Sequence, residues 1–337
     1  MRYSILICFV IFSILGIHLN AEFFTKPISE KDQEFYVYTG TTFNELIIDI
    51  DSISSSLSSV SQKCISFFLQ KKRLDYWFKP GRYVFKKSFS FNDIVNKLRS
   101  QSEDPVHLVF NSMDNVEPVL GIIGNSLELD SLDLTNYLDS INFPVDSLSF
   151  FLIPNTYELF WSMSPEEVFD RIYWEYDKFW DVNNLKSANN INLSKHEVFI
   201  LASIVDKEAS HFNEMPRIAG LYLNRLKKGW PLASDPTIIY IWKKTFNQSI
   251  RRVRNKHIDS TKKSLFNTYH NKGLPPKPIC VPSLQAIESV LFAEEHQYMY
   301  MCARPDGSEY HDFAKKYLDH QKNAKAFHTW LNKRKIY

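Results

Sequence analysis

The stretch "LASIVDKEAS", residues 201–210, begins as an apolar helix and ends on a carboxylate. Val198, Leu201 and Val205 recur at three- and four-residue steps, the spacing of one helical face. Glu208 follows Val205 by three residues and Ile204 by four, so it extends the stripe expected to face inward. An acid placed there loses water, at a cost of several kcal/mol unless a partner or a function compensates.

The neighbouring segments frame this helix. Upstream, "NNLKSANNINLS" (183–194) reads as a polar loop, with Ser194 as the N-cap of the Glu208 helix. Downstream, "MPRIAGLYLNRLKKG" (215–229) reads as a second helix closed by Gly229. Acids and aromatics alternate at helical intervals from Pro165 to Trp180, helical spacing runs over 115–140, and "VHLVF" (106–110) is a strand. Nearer the start, "FYVY" (35–38) is a short strand and "FKPGRYVF" (78–85) a turn entering another. Thr42 with Glu45, and Ser90 with Asp93, have the offset of a capping box. The fold class is therefore α+β: a transmembrane helix at 1–21, a small α+β unit at 35–103, and a larger mixed α+β domain at 104–337.

Composition narrows the functional classes. The 337 residues are 44% hydrophobic and 15% aromatic, enough for a sizeable core. Forty basic side chains nearly balance 38 acidic ones, so no global charge points to nucleic acid, and a neutral substrate fits equally well. The run Tyr3–Leu19 carries no formal charge and follows Arg2, which places the preceding end in the cytoplasm and exports the body. The rival is a signal peptide cleaved near Ala21. Cys280 and Cys302 could pair in an oxidising compartment, or remain buried free thiols.

Several chemistries lack their residues. HExxH, paired cysteines with zinc spacing, GxSxG, a Walker loop and GxGxxG are all absent, so neither a metal nor a cofactor is expected. His311 and His320 read as loop or surface residues. The basic run at 251–263 has no interleaved aromatics to stack bases and reads as a solvated loop. What remains is a set of polar residues in rigid or apolar surroundings: Glu208, Asn224, "SDPT" (234–237), Tyr240, "NTY" (267–269) and "GLPP" (273–276). Taken singly, each has a bland alternative. Asp235 before a proline is a common turn former, Asn224 can bond backbone nearby, and Glu208 can pair with Arg217 or Arg225.

Read in order, "ILASIVDKEAS…RIAGLYLNRLKKGWPLASDPTIIY…FNTYHNKGLPPKPICVPSLQAI…YMYMCARPDGSEYHDFAKKYLDH" resembles the endolytic murein transglycosylases of the MltG (YceG-like) family. The resemblance extends from the N-terminal run to about residue 325. It implies a membrane-anchored protein whose body faces the periplasm, with a LysM-like subdomain at 35–103 before the catalytic domain. It places the catalytic glutamate on Glu208, and glycan contacts or support for the site on Asn224, Asp235, Asn267 and Tyr269. The implied substrate is the peptidoglycan glycan strand, cut internally between MurNAc and GlcNAc to leave 1,6-anhydro ends. Implied partners are the inner membrane and peptidoglycan synthases, with no nucleic acid. The chain departs from the family pattern at Ser149, Phe150 and Asn155, and at Ala233 where many members have glutamine. The competing class is a glycan-binding scaffold without turnover, which would have no need of a general acid at Glu208. A third, binding of lipid or nucleic acid through the basic run, requires a steep salt dependence.

The resemblance also explains the acid. Desolvation raises a carboxyl pKa, and a glycosidic oxygen needs a proton as its bond breaks.

Overall fold

The structure, a computed structural model, describes residues 2–250 and 252–334. The chain divides into two compact units: Met1–Leu108 with Ile122–Leu134 and Tyr157–Val168, and Val109–Gly121 with Thr135–Thr156 and Phe169–Tyr337. Helices dominate, and the named strands form three two-stranded sheets, so the architecture is mixed α+β.

In the first unit, helix Arg2–Phe24 continues past the charge-free run. Its segment Ile7–Phe24 is long and apolar enough to cross a membrane by length and composition. The outer part exposes Phe9, Phe12 and Ile17, whereas Phe23 near its end is buried against Phe68 and Phe91. Strands Gln33–Val37 and Gly81–Phe85 pair antiparallel with Phe35 opposite Tyr83. Alternate residues face inward, as the two-residue period of a strand requires: Phe35 and Val37 on one, Tyr83 and Phe85 on the other. Helices Phe43–Ile53 and Phe91–Arg99 start at complete capping boxes, Thr42 with Glu45 and Ser90 with Asp93. Leu46, Ile50, Leu69, Ile94 and Leu98 close the core over the sheet.

The second unit is built around helix Lys195–Glu208, which begins at the Ser194–Glu197 capping box. Every residue from Val198 to Val205 is buried, Ser203 included. The helix is therefore wrapped on all sides rather than along one stripe, the pattern of a central core helix. Helices Met215–Lys227 and Leu284–Leu291 pack against it. Gly220 permits a close approach: a Cβ there would lie 2.3 Å from the Glu294 carbonyl oxygen. Gly229 closes its helix at φ +62°, a left-handed conformation natural to glycine.

Three expectations change. Residues 183–194 are mostly helix, Val182–Asn190, capped by Asp181, whose side chain accepts from the Asn184 N–H. Its asparagine-rich sequence hides the single inward position, Ala188. The spacing over 115–140 resolves into two helices, Pro118–Gly124 and Ser131–Ser140. "SDPT" is a helix start: helix Asp235–Phe246 has Pro236 in its first turn, where the missing N–H is no loss.

Candidate active site

Glu208 is the last residue of the central helix, and Ala209 leaves it in extended conformation. The carboxyl group thus sits at the negative end of the helix dipole, which disfavours an anion. Residue Glu208 keeps part of its surface open. Burial of its carboxyl pushes its pKa up to about 7; His311 opposes the shift and Asp235 adds to it. An acid so tuned holds a proton near neutral pH.

Neither arginine neutralises Glu208 as an ion-pair partner. Arg217 pairs with Glu294 at 3.0 Å. Arg225 donates to the carbonyls of Met299 and Leu232, so its guanidinium braces the chain ahead of Ser234. The polar neighbours are different. Ser234 Oγ lies 3.5 Å from Glu208 Oε2, free to do so because it makes no side-chain cap bond to its own helix. Tyr222 is 0% exposed, and its hydroxyl is buried beside Glu208 and Ser234 without a close hydrogen bond to either. In the sequence Tyr222 passes for an ordinary core aromatic of the 215–227 helix, and no local signal marks it.

The "NTY" loop stitches "SDPT" in place. Ser234 N–H donates to Thr268 Oγ1 at 3.0 Å, and Ala233 N–H to the Thr268 carbonyl at 2.9 Å. Ala233 is held at φ +47°, a left-handed conformation uncommon for a residue with a Cβ, directly before Ser234. Asn267 is 0% exposed. Its amide donates to Ile258 O and Thr261 Oγ1, while its oxygen accepts from Tyr269 N–H at 3.0 Å. Asn267 is thus an internal brace for Tyr269. Tyr269 Oη in turn donates to Asp235 Oδ1. Asp235 is exposed, and its carboxylate bonds this tyrosine across the loop instead of its own backbone.

Asn224 is part of a separate clamp. Its Nδ2 donates to the carbonyls of His296 and Tyr298 at 2.9 and 3.1 Å, fastening that segment to helix Met215–Lys227. Asp206 faces elsewhere too, accepting from Ser112 Oγ at 2.7 Å and Ser283 N–H at 3.1 Å. The site therefore gathers Glu208, Asp235 and Tyr269, with Asn267 behind Tyr269.

His311 needs correction. It lies on strand His311–Ala314, its side chain is 15% exposed, and Nδ1 is 2.8 Å from Glu214 Oε2. Its charge is the foremost influence opposing the rise in Glu208. Histidine spacing along the chain could not reveal this, because the partner lies on a different segment. In the basic run, Arg251 lies outside the described residues; Asn255–Ser260 forms a short helix with His257 buried. Cys280 and Cys302 are free thiols, and burial pushes Cys302 up to about 11. Among the described residues no group of three or more His, Cys, Asp or Glu is arranged to hold a metal ion.

A Streptococcus pneumoniae R6 protein named endolytic murein transglycosylase is 26% identical over 334 residues, covering 88% of this chain and 59% of its own length. The chain thus spans about three fifths of that relative. A Bacillus subtilis protein of the same name is 30% identical over 154 residues, 45% of this chain and 41% of the relative. The crystal structure of a yceG-like protein from Listeria monocytogenes superposes with a TM-score of 0.51 at 21% identity, covering 87% of this chain and 99% of that one, which supports the fold. Residues 35–326 match the YceG-like family, and the chain belongs to that family.

Proposed function

We propose that this chain is a lytic transglycosylase that cuts peptidoglycan strands internally between MurNAc and GlcNAc, with Glu208 as its single general acid and base. The names of the relatives support the activity. The observation that carries the residue assignment is the carboxyl at the end of the buried helix, with its pKa raised to about 7 by burial.

In the proposed reaction Glu208 gives its proton to the glycosidic oxygen, and the bond from that oxygen to C1 of MurNAc breaks. The resulting carboxylate takes the proton of the MurNAc 6-hydroxyl as its oxygen closes onto C1. No water is consumed, and Glu208 is again protonated. The nucleophile is already part of the substrate, so proximity replaces an activated water and a second carboxylate. Asp206 is engaged by two serines, and Asp235 by Tyr269, in keeping with one working acid. Asp235 and Tyr269 line the glycan path beside Glu208, while Asn267 and Asn224 brace the walls.

The remaining parts of the reading concern setting. Helix Arg2–Phe24 anchors the protein in the inner membrane, with the body in the periplasm. Residues 35–103 form a LysM-like subdomain that engages glycan, 104–337 form the catalytic domain, and cutting near synthases ends strand elongation. Mass spectrometry of purified peptidoglycan digested by the protein tests the activity. Anhydro ends support it; reducing ends replace it with a hydrolase.

A further inference from the structure

We propose that the lysine-walled cleft behind the Glu208 and Asp235 helix ends is a binding site for a short peptide bearing free carboxylates, the kind of side branch a murein strand carries on its muramic acid. The proposal rests on the murein reading above and extends it from the glycan to the peptide.

The cleft encloses about 420 Å³, within the range of roughly 300–1,000 Å³ usual for small-ligand sites. Its apolar walls include Pro236, Tyr240 and Ile279, and its cations are Lys207, Lys243 and Lys244. Lys207 immediately precedes Glu208, and Pro236 immediately follows Asp235, so residues next to the acid and next to Asp235 in the chain line the cleft.

The charges are unevenly matched. One carboxylate, Asp114, serves two ammonium groups, Lys207 Nζ at 2.7 Å and Lys243 Nζ at 3.0 Å. That sharing holds the Asp114 carboxyl down to about 2 and leaves two ammonium groups with a single carboxylate in direct contact; Asp206, which also attracts Lys207, is held by Ser112 and Ser283. Lys244 Nζ pairs with Glu117 at 3.2 Å. Each ammonium has three donors, so these contacts leave donors free for an incoming anion. The pairs are partly exposed and screened by solvent, so little is lost when an ammonium turns toward a ligand. A neutral sugar could accept hydrogen bonds here but offers no charge to match the lysines. A peptide with free carboxylates meets both the cations and the apolar walls.

Calorimetric titration of the full Glu208→Gln chain with a muramyl peptide carrying free carboxylates tests this without turnover. Binding is expected, weakening at least tenfold when the peptide carboxylates are amidated or when Lys243 and Lys244 are both changed to alanine. Arginine at both positions is expected to restore it. No binding of the acidic peptide, or equal binding after amidation or in the alanine variant, overturns the proposal. A protein that binds this peptide yet yields no anhydro ends in its native form upholds the cleft and refutes the activity alone.

Discussion

His311 and Glu214 are joined twice: Nδ1 of the ring lies 2.8 Å from one carboxylate oxygen, and the His311 backbone N–H donates to the other at 2.8 Å. Burial works against ionising Glu214, but these bonds overcome it and hold its carboxyl below the usual range, so it accepts and Nδ1 donates. The pair orients an imidazole whose charge reaches Glu208.

Glu214→Gln is expected to destabilise the protein by about 1.5–3 kcal/mol, the worth of a buried hydrogen bond to a charged group. Urea unfolding at neutral pH measures it. His311→Gln removes the imidazole whose protonated form favours ionised Glu208, so the alkaline limb of the activity profile moves to higher pH. An unmoved limb would show that His311 does not act on Glu208.

Glu208→Gln is expected to abolish anhydro-end formation while preserving the fold, since the amide has the same shape but cannot give up a proton and take it back. In the proposed reaction the acid must start protonated, so activity should fall as pH rises through about 7. Stability follows the same group. Its folded pKa is raised from 4.5, so its contribution is complete below 4.5 and is lost as pH rises through about 7. The Gln variant should therefore gain in relative stability over that window and level off above it, as read from thermal melts at a series of pH values.

Tyr222→Phe deletes a buried hydroxyl that lies beside Glu208 and Ser234 without a close hydrogen bond to either. Thermal stability should change little, because no close hydrogen bond is broken. The hydroxyl favours ionised Glu208, so its loss should move the alkaline limb upward. A sharp fall in melting temperature would mean that Tyr222 Oη has a partner.

Tyr269→Phe removes the donor of this contact, whereas Asp235→Asn keeps an accepting oxygen and removes only the charge, so each should lower activity by about tenfold or less if the bond is worth about 1 kcal/mol. Turnover assays on purified strands compare them with Glu208→Gln. If Asp235→Asn is as inactive as Glu208→Gln, the single-acid mechanism gives way to a two-carboxylate one.

Gly220→Ala puts a methyl group against the Glu294 carbonyl, and backbone there cannot turn aside as a flexible side chain could. A loss of about 1–3 kcal/mol is expected, the usual result of overpacking. Denaturant titration checks it, and a neutral result would mean that the 294–298 segment shifts freely.

Local chemistry made much of this protein legible in its sequence. The helices beginning after Thr42, Ser90 and Ser194 could be placed because a capping box is closed by side chains and backbone within three residues. Glu208 stood out because its apolar neighbours are on the same helix, and the order of motifs matched the family. Packing decided the rest. Helix Val182–Asn190 buries only Ala188, too faint a pattern to read through its asparagines. The "SDPT" aspartate could bond its own turn or a distant tyrosine, and the loop around Asn267 chose the tyrosine. Glu214 and His311 are separated by 97 positions, and Tyr222 reaches Glu208 from another helix. Periodicity reports which side of an element faces inward; only the assembled core determines which side chain waits there, and so which environment raises the Glu208 pKa.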